Sequence, residues 1–189
     1  SIMTLVELSQ YDSTDKLVSL ETEGYRVDAT KEVNVLYTME LPKEKNYKSG
    51  DTYVLTLPES FKFTEEHSGD LQLQIQGSNT VITFGTFKVN ADLKTVTFTF
   101  NGEIEGKTIT GQFGAWAAFT EGVKQGELQQ TIKFDDPQKT FELKFAPVGG
   151  ELTKTAIANK LMNGNEVTWT VDINKASRDI KVAELSDVT

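Results

Sequence analysis

Residues 33–42 read Val-Asn-Val-Leu-Tyr-Thr-Met-Glu-Leu-Pro. Large apolar side chains occupy every odd position up to residue 41, and most of the even positions between them are polar. An alternation with a period of two predicts a β-strand that turns one face to a core and the other to water. The proline then marks the end of the strand, because it cannot donate to a β-ladder.

The same period of two recurs along most of the chain. The alternating segments lie at residues 53–57, 71–75, 96–100, 113–119, 132–134, 141–145 and 167–173. Polar turn signals separate them at residues 48–51, 77–79, 90–92, 101–102, 135–137 and 163–165. Short alternating strands between polar turns predict an all-β, antiparallel β-sandwich.

Residues of the same parity on a strand share one face of the sheet. This rule gives a predicted core for the sandwich. Its members are Val35, Tyr37, Leu55, Leu57, Phe98, Phe100, Phe113, Phe141, Leu143 and Phe145.

A domain boundary is predicted where a proline and paired glycines follow the strand at 141–145. Residues 1–146 then form the first unit, 147–150 a linker, and 151–189 the incomplete start of a second unit. About 40 residues are too few for most domains to bury a core alone. We therefore expect the alternating segment at 167–173 to pack against the first sandwich, another copy of the chain, or the remainder of its own domain.

Composition excludes several classes of function. The 189 residues carry a formal net charge of −9, which disfavours nucleic acid as a partner. No apolar run approaches the roughly 20 residues that span a bilayer, so we expect no membrane insertion. Cysteine is absent and there is one histidine, which excludes disulfides, zinc thiolates and cysteine nucleophiles. We expect no enzymatic turnover, no cofactor and no metal site.

The remaining candidates for chemistry favour ordinary structural roles. His67 lies in a polar, turn-like stretch at 64–70 and is interpreted as a solvated loop histidine. The acidic run at 12–15 lacks the glycine and the distal glutamate of a calcium loop, so it is interpreted as a turn. Residues 135–137 are interpreted as a turn as well.

Two acidic pairs and two tryptophans also have to be weighed. The glutamate pairs at 65–66 and 103/105 are interpreted as solvated carboxylates, because a glycosidase dyad must face across a cleft. Trp116 and Trp169 are interpreted as core residues in preference to sugar-stacking platforms.

Several motifs resemble a known family. Residues 47–58 read YKSGDTYVLTLP, residues 167–174 read VTWTVDIN, and residues 183–187 read AELSD. In this order they are similar to the ligand-binding region of collagen-adhesin-type (MSCRAMM-like) surface adhesins of Gram-positive bacteria. The resemblance runs from about residue 5 to residue 189. Supporting strands lie at residues 33–42, 96–101 and 111–119.

The resemblance carries implications for fold, function and location. It implies a first Ig-like subdomain followed by the opening strands of a second. It implies a non-enzymatic, secreted adhesin module on the cell wall that binds a host extracellular-matrix protein such as collagen or fibrinogen. The ligand would lie between the two sandwiches, near residues 146–150, although no individual ligand-binding residue is identified.

The resemblance also implies an autocatalytic isopeptide bond in the second subdomain. Lys154 stands where the family has its reactive lysine, and Asp187 stands where it has the assisting acid. The asparagine partner is expected outside this chain. Burial lowers the pKa of a lysine and raises that of a carboxyl group, so a neutral amine can attack an amide that a protonated acid polarises.

Two other functions remain open at this point. The sandwich is also suited to a structural spacer in the stalk of a cell-wall-anchored surface protein. A carbohydrate-binding sandwich that uses Trp116 is the third alternative.

Overall fold

The computed structural model describes residues 1–74 and 77–148, together with the backbone of residues 170–171. Its elements, in chain order, are the following strands and one short helix: β1 (Met3–Tyr11), β2 (Leu17–Ser19), β3 (Val33–Leu41), β4 (Thr52–Thr56), β5 (Phe61–Lys62), β6 (His67–Gln74), β7 (Val81–Asn90), β8 (Thr95–Phe100), β9 (Ile109–Phe119), α1 (Glu121–Lys124), β10 (Gln129–Asp135), β11 (Gln138–Lys144) and β12 (Thr170–Val171). Single 3₁₀ turns lie at Lys43–Lys45 and Gly102–Ile104.

Two antiparallel sheets form the body of the described chain. The first has the strand order β12-β9-β3-β1-β2, and β5 pairs with one end of β9. The second has the order β4-β8-β7-β6. This arrangement confirms the all-β sandwich.

Aromatic rings join the two sheets through the core. The Phe113 ring of β9 meets the rings of Phe87 on β7 and Phe98 on β8, with centroids 5.5 and 5.0 Å apart and steep interplanar angles. Edge-to-face contacts of this kind add about 0.5–1.5 kcal/mol each to the burial of the rings. The alternation of large apolar residues therefore does more than form strands, because it supplies the contacts that hold one sheet against the other.

The predicted core is confirmed residue by residue. All ten predicted members are buried, and Leu57, the most exposed of them, is 5% exposed. Leu55 and Leu57 are buried together, which confirms the predicted register of that strand.

The hairpin of β10 and β11 packs alongside the two sheets. Its turn at Asp136 and Pro137 confirms the predicted turn. The Phe134 ring contacts those of Tyr37 and Phe61, each at 6.1 Å. At the tip, the hydroxyl group of Tyr53 donates a hydrogen bond to the Asp136 carboxylate, which ties the hairpin to β4.

Two interpretations drawn from the sequence are wrong. His67 does not lie in a loop: it begins β6, pairs with Val89 and places its ring 5.9 Å from that of Phe87. Trp116 is not a core residue: it is half-buried on the outer face of β9, because its even position points away from Phe113 and Ala115. In both cases, the odd or even position along the strand predicts the placement of the side chain better than the composition of the neighbouring residues does.

Candidate functional site

Among the described residues, the strand β9 is paired along most of one side and open along most of the other. Its paired side follows β3 from Ile109 to Ala117. On the other side, β5 pairs with Ala118 and Phe119 only. Within the described residues, the rest of that side meets β12 alone, which pairs at Phe113 and Gly114. A strand edge of this kind is a template for an added strand.

The backbone groups on the open side of β9 belong to its even-numbered residues. The amide of Thr120 donates to the carbonyl oxygen of Ser60 on the β5 side, with a nitrogen–oxygen distance of 3.0 Å. In an antiparallel strand, the N–H and C=O groups of one residue point to the same side, and those of the next residue point to the opposite side. The backbone groups of Gln112, Gly114 and Trp116 therefore point to the same side as those of Thr120. The backbone groups of the odd-numbered residues point to β3.

The segment β12 shows that this edge accepts a strand. The register pairs Thr170 with Gly114 and Val171 with Phe113 in antiparallel orientation. The sequence predicted that the alternating segment at 167–173 packs against the first sandwich, another copy of the chain or the rest of its own domain. Its described residues, Thr170 and Val171, pair with the first sandwich. Trp169, with the other residues around this pair, lies outside the described residues.

The outer face of the same sheet carries a stacked pair of aromatic rings. Tyr11 and Trp116 have ring centroids 5.6 Å apart and an interplanar angle of 14°. Tyr11 is 46% exposed. Each ring covers one face of the other, which leaves Trp116 with a single ring face for any other contact.

One acidic side chain has surroundings that sequence patterns did not single out. Glu32, immediately before β3, is only 7% exposed. Burial, with the nearby charge of Glu65 as a smaller cause, raises its pKa to about 7. In the sequence, the one indication that Glu32 has unusual surroundings is its even position directly before a strongly alternating strand. That indication is weak.

The other acidic candidates behave as the sequence predicted. Asp12 accepts hydrogen bonds from the Lys16 amide at 3.0 Å and from the hydroxyl group and the amide of Thr14, each at 2.7 Å, and these bonds lower its pKa. The run at 12–15 is thus a local turn. The structure pairs Glu103 with Lys107 at 2.9 Å and brings Glu105 within 3.8 Å of the Lys48 ammonium.

The proposed isopeptide pair and part of the expected ligand region cannot be placed. Lys154 and Asp187 both lie outside the described residues. Of the predicted linker and the residue before it, 146–148 are described, and the Ala146 amide donates to the Val27 carbonyl oxygen at 2.8 Å. The sandwich therefore holds the chain in place up to Ala146.

The described part of the chain contains no group of three or more histidine, cysteine or acidic side chains arranged to hold a metal ion. It also contains no helix of the length and apolar character needed to cross a membrane.

Comparison with known proteins identifies the family. No curated protein matches the chain. The model of the bacterial Ig domain family matches residues 26–127, from just before β3 to just after α1. The match covers more than half of the 189 residues and includes the whole second sheet together with β3, β5 and β9 of the first. Such domains are generally non-enzymatic and fit a module of a surface or stalk protein. The chain therefore belongs to the bacterial Ig domain family.

Proposed function

We propose that this chain is a non-enzymatic adhesin module, secreted and displayed on the cell wall. It captures an extended segment of a host extracellular-matrix protein of the collagen or fibrinogen type. The edge of β9, which is largely unpaired within the described part of the chain, is the single observation that carries the proposal. A strand added there gains main-chain hydrogen bonds whatever its sequence, and side-chain pockets beside it supply specificity.

The chain's own segment at 170–171 supports this choice of edge, since it already pairs with Phe113 and Gly114. An incoming peptide would extend that pairing or replace it. The rest of the second subdomain, or another copy of the chain, would complete the enclosure around the ligand.

The test is binding of the chain to immobilised collagen and fibrinogen, compared with a variant that loses one edge amide. Gln112→Pro removes an N–H group that points to the open side and leaves the β3 pairing intact. Proline is tolerated on such an edge. We expect this variant to bind at least about tenfold more weakly, a loss of about 1.4 kcal/mol.

Gln112→Ala is the matched control, because it removes the same side chain and keeps the amide. It should bind like the original chain. Circular dichroism and thermal unfolding establish that both variants are folded. Full binding by the proline variant would overturn the choice of edge, and no binding to either matrix protein would overturn the proposed ligand class.

A structural spacer is the second candidate, and the ring contacts that join the two sheets favour it. Absence of binding to every matrix protein, together with high resistance in single-molecule pulling, would support the spacer. Glycan binding that disappears in Trp116→Ala would instead support a carbohydrate-binding module.

A further inference from the structure

A nearly buried glutamate and an aromatic pair lie at the same end of the first sheet. Ser9 pairs with Asn34, and Asn34 pairs with Trp116. Tyr11 lies two residues beyond Ser9 at the end of β1, and Glu32 lies two residues before Asn34. The Lys31 ammonium donates to the Tyr11 carbonyl oxygen at 3.0 Å, which holds these two segments together.

The two rings lean across the strand that separates them. Tyr11 is on β1 and Trp116 is on β9, with β3 between them. Strands two positions apart in a sheet are separated by about 9.6 Å, whereas the ring centroids are 5.6 Å apart. The stack therefore crosses the outer side of the sheet at the level of Asn34, which pairs with Trp116 two residues after Glu32.

The Glu32 carboxyl group has no partner among the described residues. Its side chain forms no hydrogen bond or ion pair there, although the residue is only 7% exposed. After burial, the charge of a second carboxylate, that of Glu65, is the next cause of its raised pKa, and Lys31 and Lys62 on the adjoining segments form no ion pair with it. Among the described residues, the buried side-chain polar atom without a hydrogen-bond partner is the Tyr37 hydroxyl oxygen, so the Glu32 carboxyl oxygens still reach solvent. A carboxylate that is largely removed from water beside a second carboxylate is destabilised in its charged form, and an incoming cation would stabilise it.

We propose that Glu32, Glu65 and the Tyr11–Trp116 pair form a binding site for the guanidinium group of an arginine side chain on a partner protein. A guanidinium group is planar, binds carboxylates through two parallel hydrogen bonds and stacks on aromatic faces. The outer face of the ring pair offers that stacking surface, and cation–π attraction operates within about 6 Å of a ring centroid.

Other cations fit this site less well. A calcium ion takes six to eight oxygen ligands, whereas two carboxylates and two aromatic rings provide few. A lysine ammonium is a strongly hydrated point charge that gains less from a planar stack. The site lies on the outer face of the sheet and does not depend on strand addition at the open edge of β9.

The test uses the 189-residue chain and N-acetyl-arginine amide as the probe. Titration is followed by tryptophan fluorescence and by NMR shifts of amides near residue 32. We expect saturable binding at pH 8 that is at least about tenfold weaker in Glu32→Gln, because that change removes a charge-assisted pair. Trp116→Leu should also weaken binding severalfold by removing the stacking surface.

Glu40→Gln is the matched control, since Glu40 is an exposed carboxylate at the other end of β3. It should bind the probe like the original chain, and N-acetyl-lysine amide should bind more weakly than the arginine probe. Equal binding by the lysine probe, calcium binding that requires Glu32, or arginine binding unchanged in Glu32→Gln would each overturn the proposal. None of these results depends on collagen or fibrinogen binding.

Discussion

The side-chain oxygen of Gln10 accepts a hydrogen bond from the Tyr25 hydroxyl group at 2.8 Å. Gln10 is fully buried, and the same oxygen accepts from the Asp28 amide at 2.8 Å. Its side-chain amide donates to the Asp28 carbonyl oxygen at 3.1 Å. One polar side chain of β1 thus anchors the connection between β2 and β3.

Replacing Gln10 with leucine should destabilise the fold by about 2–4 kcal/mol, because it leaves the partly buried polar groups of Asp28 and Tyr25 without these partners. Urea unfolding measures the loss. Tyr25→Phe removes one of the three bonds and should cost only about 1 kcal/mol. A loss in Gln10→Leu no larger than that in Tyr25→Phe would contradict this account.

Stability should depend on the protonation of Glu32. Its pKa is about 7 in the folded chain and 4.5 as the ordinary value. The folded state therefore binds a proton more tightly than the unfolded state, so this group's contribution to stability falls as pH rises from about 4.5 to 7 and stays low above that range. Lys31 and Lys62 are the cations on the adjoining segments, and neither forms an ion pair with it.

Glu32→Gln should flatten that dependence and stabilise the chain at pH 8 by about 1–3 kcal/mol. Thermal unfolding between pH 4.5 and pH 8 checks both effects, with Glu40→Gln near the far end of β3 as the control. An unchanged pH profile in Glu32→Gln would show that this carboxyl group does not titrate near neutrality.

Gly85→Ala should be among the most damaging small substitutions in β7. An added Cβ atom would lie 2.3 Å from the Thr99 carbonyl oxygen and 3.1 Å from the Phe100 Cα atom. Because both are backbone atoms, the strands must move apart, and we expect a loss of about 3 kcal/mol. Gly102→Ala is the matched control: its nearest neighbour would be a side-chain oxygen at 3.8 Å. Comparable losses in the two variants would refute the steric explanation.

Intact mass spectrometry tests the isopeptide prediction. This chain should match its sequence mass, since the expected asparagine lies outside it, whereas a longer form carrying the following strands should lose one ammonia. Lys154→Ala should abolish that loss and Lys160→Ala should not. A longer form with its full mass, or a loss that survives Lys154→Ala, would exclude Lys154 as the reactive lysine.

Strand content and core were predictable because alternation is a local property of the chain. Tyr37, Leu55 and Phe113 are buried as predicted, since parity alone assigns them to one face. The strand β1 was missed although Val6 and Leu8 alternate within it. A β-bulge between Met3 and Leu5 interrupts its pattern and conceals the period.

The amino-acid sequence by itself determined the all-β class, most of the strands and the residues that form the core, because each depends on neighbours within a few positions. Only the tertiary structure decided which strand edge is left unpaired by the described residues and which side chains meet across strands. Glu32, Tyr11 and Trp116 are distant in sequence, and their proximity follows from the order β9-β3-β1 in the first sheet. Strand order depends on long-range pairing, and no local period encodes it.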